Sequence, residues 1–306
     1  MSTVLFDSTM TDDERRRQIY EGTLFTYAPR QNSTALTEHA WQMITDAFGG
    51  VDPRQAQDRL SVEKFVEAIA PLKTAFTHSE RSKELIRDTL AELGCDTSAT
   101  YFDVPRLRIV SHSGYLTSGA GYAFNPHRDI WYAAPPSQHN WWLPIQSIGT
   151  ASAMAFHPQW WDKPVPNSSD GFDPYRWNAT ARRDAAKYVK SDSRPHPEPT
   201  EPIELEPDIR FVGEPGSVLV FSAAHLHSTV PNTSGRTRFS IDFRTTHIDD
   251  LVNRLGAPNV DTAATGTTLR DFRRVDDLAP LPDDIVAIYD HGSTHEGELV
   301  FDPATL

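Results

Sequence analysis

Over the first hundred residues, apolar side chains recur every three or four positions; beyond residue 101 they tend to alternate with polar ones. The first pattern predicts helices. Thr11-Asp12-Asp13-Glu14 offers a capping residue and an acidic first turn for a helix continuing through Ile19. A second helix is expected from Leu36 to Phe48, with Ala40, Met43, Ile44 and Phe48 at helical spacing and Gly49-Gly50 as the stop. A third covers Val62 to Phe76, with Phe65, Val66, Ile69 and Leu72 on one face. A fourth runs from Ser82 to Leu93, carries Ile86, Leu90 and Leu93, and is stopped by Gly94. Stripes of this kind usually mark a buried face, so they are read as core.

The second pattern predicts strands. Residues 106–111 alternate in the manner of a half-buried strand, and Trp141–Ile148, Ala151–Phe156, Ile209–Val212, Ser217–Phe221 and Arg238–Thr245 are further short β segments. Strands at this spacing with few helices between them suggest an antiparallel sandwich or barrel. The stretch from Asp162 to Pro207 interrupts them with eight prolines, a short helix expected at Ala179–Val189 and the Pro-His-Pro-Glu-Pro run at 195–199. Because strand-like sequence resumes after it, this is a lid-like surface insertion rather than a linker. The chain therefore reads as one domain, 1–306. It comprises a helical N-terminal layer (1–100), a β core (101–161 and 208–246), the insertion (162–207) and a loop-rich C-terminal extension (247–306).

Composition narrows the partners. The formal net charge is -13 over 306 residues, which argues against nucleic acid or an anionic membrane surface. No apolar run is long enough to span a bilayer, and residues 1–17 contain no apolar signal-like region, so neither a membrane protein nor a secreted precursor is expected. The single cysteine, Cys95, rules out an internal disulfide and a cysteine-based zinc knuckle, and fits a reducing cytoplasm.

The chemistry concentrates in two segments. In Asn125-Pro126-His127-Arg128-Asp129, a strand would turn His127 and Asp129 to the same side and supply two corners of a facial metal site. Such a triplet is weak alone. Residues 216–243 add a turn, an apolar strand, His225 and His227, a Pro231-Asn232 turn and another strand. On that last strand Phe239, Ile241 and Phe243 would face the core, and Arg238, Ser240, Asp242 and Arg244 the other way. An arginine and a hydroxyl two residues apart make a good carboxylate clamp.

Taken together, these segments resemble the Fe(II)/2-oxoglutarate-dependent dioxygenases, specifically the phytanoyl-CoA hydroxylase-like branch. In that family a His-x-Asp pair and a distal histidine hold iron, and an arginine about ten residues further on, often within Arg-x-Ser, holds 2-oxoglutarate. Leu226-His227-Ser228-Thr229-Val230-Pro231-Asn232 is similar to the family's distal segment. The resemblance covers roughly residues 100–245 at the level of motifs. It implies a double-stranded β-helix (jelly-roll) core, with His127, Asp129 and His227 as iron ligands and catalytic centre, and Arg238 with Ser240 as the 2-oxoglutarate site. It implies hydroxylation of an unactivated C–H bond of a small metabolite by O2, with 2-oxoglutarate leaving as succinate and CO2, and ascorbate as an accessory reductant. Halogenating relatives lack the metal carboxylate, so Asp129 favours hydroxylation, desaturation or ring closure.

Each assignment has a competitor. His127 and Asp129 could form a structural hydrogen-bonded pair. A kinase-like loop is poorly supported, because Ala134 stands where asparagine is required. His225 could replace His227, and Arg236 could replace Arg238, although only Arg238 has a serine two residues on. Arg244 could meet substrate or pair with Asp242 or another acid. His291 and His295 are read as loop residues. Six of the seven tryptophans lie between Trp131 and Trp177, where core packing accounts for most and a cavity wall for some. Asn125, Gln138, Asn140, Gln146 and Arg128 are candidate polar contacts beside them. The competing functions are a cupin-like metal-dependent isomerase or lyase that does not use 2-oxoglutarate, and a non-catalytic jelly-roll binding protein.

Overall fold

The computed structural model describes residues 3–116, 125–181 and 194–290. Its larger sheet has eight strands. They run in the order β1 (Val4–Phe6), β2 (Leu24–Tyr27), β8 (Val218–Ser222), β5 (His139–Pro144), β10 (Arg238–His247), β3 (Thr100–Phe102) and β11 (Arg273–Arg274), and β4 (Arg106–Val110) also pairs with β10. The smaller sheet is β7 (Ile209–Phe211), β6 (Met154–Phe156) and β9 (His227–Thr229), with β6 in the middle. Among the described residues only β1–β2 is parallel; the other ladders are antiparallel. The two sheets form a jelly roll.

The long strand β10 organises the large sheet. Residues Arg238–Asp242 pair with β4 and Thr245–His247 with β3, while β5 runs along the opposite edge. Pro105, which has no N–H to give a ladder, falls between β3 and β4 and divides them. Alternation along β10 sends Phe239, Ile241 and Phe243 into a cluster with Leu107, Ile109, Trp141, Leu143, Val218 and Val220. Helices α2 (Gln31–Ala47), α3 (Val62–His78) and α4 (Glu80–Glu92) cover that cluster with Leu36, Ala40, Ile44, Phe65, Ile69, Phe76 and Ile86. Each such side chain contributes roughly 1.5–3 kcal/mol on burial. The sheet is thus held by its outer face, and along β10 the inner face carries the polar residues Arg238, Ser240, Asp242 and Arg244. Between the sheets, Leu24, Trp142, Met154, Phe156, Leu219 and Phe221 form a second cluster.

The expected helices are present, with shifted ends. Helix α1 (Asp12–Tyr20) starts at the reciprocal cap of Thr11 and Glu14. Helix α2 begins five residues before Leu36, where the Arg30 backbone N–H donates to Ser33 Oγ at 2.9 Å. Ser79 caps α4 and extends it back to Glu80. The N-terminal region is not only helical, because β1 and β2 join the large sheet. Strand β5 covers 139–144 rather than 141–148, and residues 150–152 form a 3-10 turn ahead of β6.

The two ends of the insertion are tied to each other. Asn167 bridges Pro199, Ser168 N donates to Glu198 O at 3.1 Å, and Thr200 N donates to Pro166 O at 2.9 Å. Most of the helix expected at Ala179–Val189, and the pair His291 and His295, lie outside the described residues. In the C-terminal region, short helices occupy Ile248–Val252 and Asp283–Tyr289. Among the described residues, no helix is long and apolar enough to cross a membrane.

Candidate metal centre

His127 does not lie on a regular strand, contrary to the sequence expectation, and Asp129 opens a 3-10 turn, Asp129–Tyr132. The strand role is taken by a single reciprocal bridge. His127 N donates to His227 O and His227 N donates to His127 O, both at 3.0 Å. That bridge sets the two imidazoles side by side, with ring centroids 4.4 Å apart. The turn then brings the Asp129 carboxylate back toward them. Ligand atoms of His127, Asp129 and His227 all lie within 4.8 Å of one another.

The tautomers follow from the backbone. His127 Nδ1 lies 2.7 Å from Asn125 O, and His227 Nδ1 lies 3.0 Å from His225 O. A carbonyl only accepts, so each Nδ1 carries the hydrogen and each Nε2 the lone pair a metal needs. Burial, reinforced by the neighbouring His127, lowers the His227 pKa to about 3, which keeps its ring neutral. Burial alone would raise the Asp129 pKa, but Arg244 and then His127 hold it far below the ordinary carboxylate range. Two imidazoles and one carboxylate on one side of an ion form a set suited to a divalent metal with open positions.

His225 is turned elsewhere. Its Nε2 is 3.2 Å from Gly22 O, its ring lies 4.4 Å from that of Trp161, and burial lowers its pKa to about 4. Arg236 is exposed on the turn, whereas Arg238 is 2 % exposed. Arg238 Nη1 donates to Ser152 O at 3.0 Å, and its guanidinium lies 5.5 Å from the centre of the Trp142 ring. Among the described residues, Arg238 Nε and Ser240 Oγ are buried without a hydrogen-bond partner. Desolvation, followed by the nearby Arg108, lowers the Arg238 pKa to about 10, and no carboxylate among the described residues pairs with it. A buried guanidinium in that state is short of an anion.

The remaining candidates divide. Gln138 Nε2 reaches Asn140 Oδ1 at 2.9 Å and Asp129 Oδ2 at 3.5 Å, and Asn140 Nδ2 is buried without a partner. Gln146 donates to Thr237 O at 2.9 Å. Arg128 points away from His127 and Asp129, which flank it. It is fully buried, donates to Ala224 O, Trp160 O and Lys163 O, and forms a 3.0 Å ion pair with Asp261. Among the aromatics, Tyr132 packs edge-on to His127 at 5.6 Å, while Phe221 and Phe156 lie 5.1 and 6.1 Å from His227. Trp142 faces the space between the sheets, and Trp141 stacks on Phe243 beneath the helices. Asp103 and Asp261 escaped the sequence reading, because nothing in their local pattern separates them from other surface-type aspartates.

No family model and no curated protein matches this chain. Among solved structures, EvdO2 from Micromonospora carbonacea var. aurantiaca is similar at 14% identity and a TM-score of 0.34, over 53% of this chain. The chain spans 58% of the length of EvdO2. The non-heme monooxygenase ThoJ shows 16% identity and a TM-score of 0.38, over 89% of this chain and 84% of its own. The epimerase SnoN, in a complex with Fe3+, alpha-ketoglutarate and nogalamycin RO, shows 14% identity and a TM-score of 0.41, over 77% and 85%. These likenesses are distant, and the chemistry of the site rests on the residues described above.

Proposed function

We propose that this protein is a non-haem Fe(II)/2-oxoglutarate-dependent oxygenase acting on a small metabolite, a hydroxylase of the phytanoyl-CoA hydroxylase-like kind. One observation carries the reading. His127, Asp129 and His227 cluster with the spacing a metal ion needs, and Arg238, on the inward face of β10, is a buried guanidinium with no carboxylate partner among the described residues. His127, Asp129 and His227 would hold Fe(II). Arg238, with Ser240, would receive the far carboxylate of 2-oxoglutarate. When bound, the iron and its co-substrate supply the oxidising power to attack a C–H bond with O2, with 2-oxoglutarate leaving as succinate and CO2.

The chain does the rest. Arg238 and Ser240 present a charged fork and a hydroxyl in a dry setting, where charge-assisted bonds are strongest. Phe156 and Phe221 line the His227 side of the centre and keep water off it. Tyr132 does the same beside His127. The 162–207 insertion acts as a lid over a single domain, and ascorbate serves as an accessory reductant in a reducing cytoplasm.

Two measurements test this. Anaerobic calorimetry with Mn(II) in place of iron should show 2-oxoglutarate binding to the wild type and greatly weakened binding to Arg238→Ala. Succinate should then form from 2-oxoglutarate with Fe(II) and O2, and not in Asp129→Ala. Equal binding of 2-oxoglutarate to wild type and Arg238→Ala, with no succinate from either, would leave a metal enzyme that uses no 2-oxoglutarate or a binding protein.

A further inference from the structure

Arg244 lies on the inner face of β10 with its side chain 17 % exposed, and its nitrogens reach three different acids. Nη1 is 3.2 Å from Asp103 Oδ2, Nε is 3.4 Å from Asp129 Oδ2, and Nη2 is 3.8 Å from Asp242 Oδ2. Its backbone N–H also donates to Asp103 Oδ1 at 2.7 Å. The outer acids are held in turn: Asp103 by Arg106 at 2.6 Å, and Asp242 by Arg108 at 2.5 and 3.0 Å. The guanidinium is therefore fixed from both sides, and so is the direction of its Nε. Gln138 adds a second donor to the same oxygen. Its amide nitrogen has two hydrogens, one for Asn140 Oδ1 at 2.9 Å and one directed at Asp129 Oδ2 at 3.5 Å. The other carboxylate oxygen, Oδ1, faces His127 Nε2 at 3.5 Å.

We propose that Arg244, seconded by Gln138, is a positioning residue that occupies one oxygen of Asp129 so that only the other is offered to the metal. The inference rests on the metal reading of His127, Asp129 and His227. A carboxylate free to rotate can chelate through both oxygens and fill a position that a co-substrate needs. Held through Oδ2, Asp129 would offer Oδ1 alone to a bound metal. The arrangement is an outer-shell contact of the kind that tunes a metal site without touching the ion.

The test is anaerobic titration with Co(II), following both the dissociation constant and the visible d–d absorption. Wild type should bind one Co(II), and Asp129→Ala should not. Arg244→Lys keeps the charge but loses the fork, and should raise Kd about 10- to 100-fold and change the band intensity as the carboxylate rotates. Gln138→Leu should raise Kd toward the lower end of that range. Arg236→Gln, exposed on the turn and outside all of these contacts, should stay within about twofold of wild type. Wild-type Kd and spectrum in both Arg244→Lys and Gln138→Leu overturn the proposal and leave the metal site standing. If wild type binds no Co(II), or Asp129→Ala binds it equally, the metal reading itself is wrong. If Arg244→Lys does not fold, Gln138→Leu, which removes no charge, decides the matter alone.

Discussion

Asp261 lies more than 130 residues from His127 and Asp129 in sequence, yet its removal should be among the most costly single changes in the protein. Its side chain is 3 % exposed and pairs at 3.0 Å with Arg128, which is 0 % exposed. Asp261 Oδ1 also accepts from Trp131 Nε1 at 2.7 Å, and Oδ2 from Val165 N at 3.0 Å. Asp261→Ala would strand a buried guanidinium, at about 3–5 kcal/mol. It would also leave two buried N–H groups unmade, although neighbouring losses do not add in full. A total near 4–6 kcal/mol follows, and for a chain of this length that lowers Tm by about 6–9 °C. Urea denaturation followed by circular dichroism measures it directly. Arg128→Met in the Asp261→Ala background should restore part of the loss, because it removes the stranded charge. A loss under about 1 kcal/mol in Asp261→Ala, or a double variant whose losses simply add, would refute the claim that the pair is desolvated and coupled.

Arg238→Met should weaken 2-oxoglutarate binding about 30-fold or more, and Ser240→Ala only severalfold, by calorimetry with Mn(II) present. His227→Ala should abolish Co(II) binding while His225→Ala leaves it intact, since His225 is turned toward Gly22; the reverse result would move the distal ligand. The apo-protein should lose stability as pH falls from about 6.5 toward 4, because His225 has a folded-state pKa of about 4 and the unfolded chain takes up the proton first. The contribution of His225 is present above the unfolded value and lost across that window. His225→Phe should flatten the dependence of urea midpoint on pH, and an unchanged slope would show that this ring is not the source.

Much of this architecture was legible because it depends on short-range periodicity. The four helices and the inward and outward faces of β10 follow from spacing alone, since one side of each must be apolar. The strands β1 and β2 were not legible: three and four residues give too little alternation, and their place beside β8 is set by pairing across the chain. The pairing of the His127 and Asp129 side chains on one side was legible, but not the conformation of their segment. A single bridge to His227 and a 3-10 turn do the work a strand was expected to do. The partner of Arg128 was invisible because it comes from the C-terminal region. Arg244 was visible as an inward arginine, yet its choice among Asp103, Asp129 and Asp242 depends on how β3, the 129–132 turn and β10 meet.

The reciprocal backbone bridge between His127 and His227 bears on the order of assembly. Main-chain hydrogen bonds hold both imidazoles in place, and those bonds ask nothing of an ion. The cradle is complete once the polypeptide has folded, so that on the proposed reading loading would be a late, separable event. A preformed N/O site offers little shape discrimination between first-row divalent ions, which bind such donors in an order set by the ion rather than the protein. On the proposed reading, which metal fills the site would then be decided by what the surroundings supply.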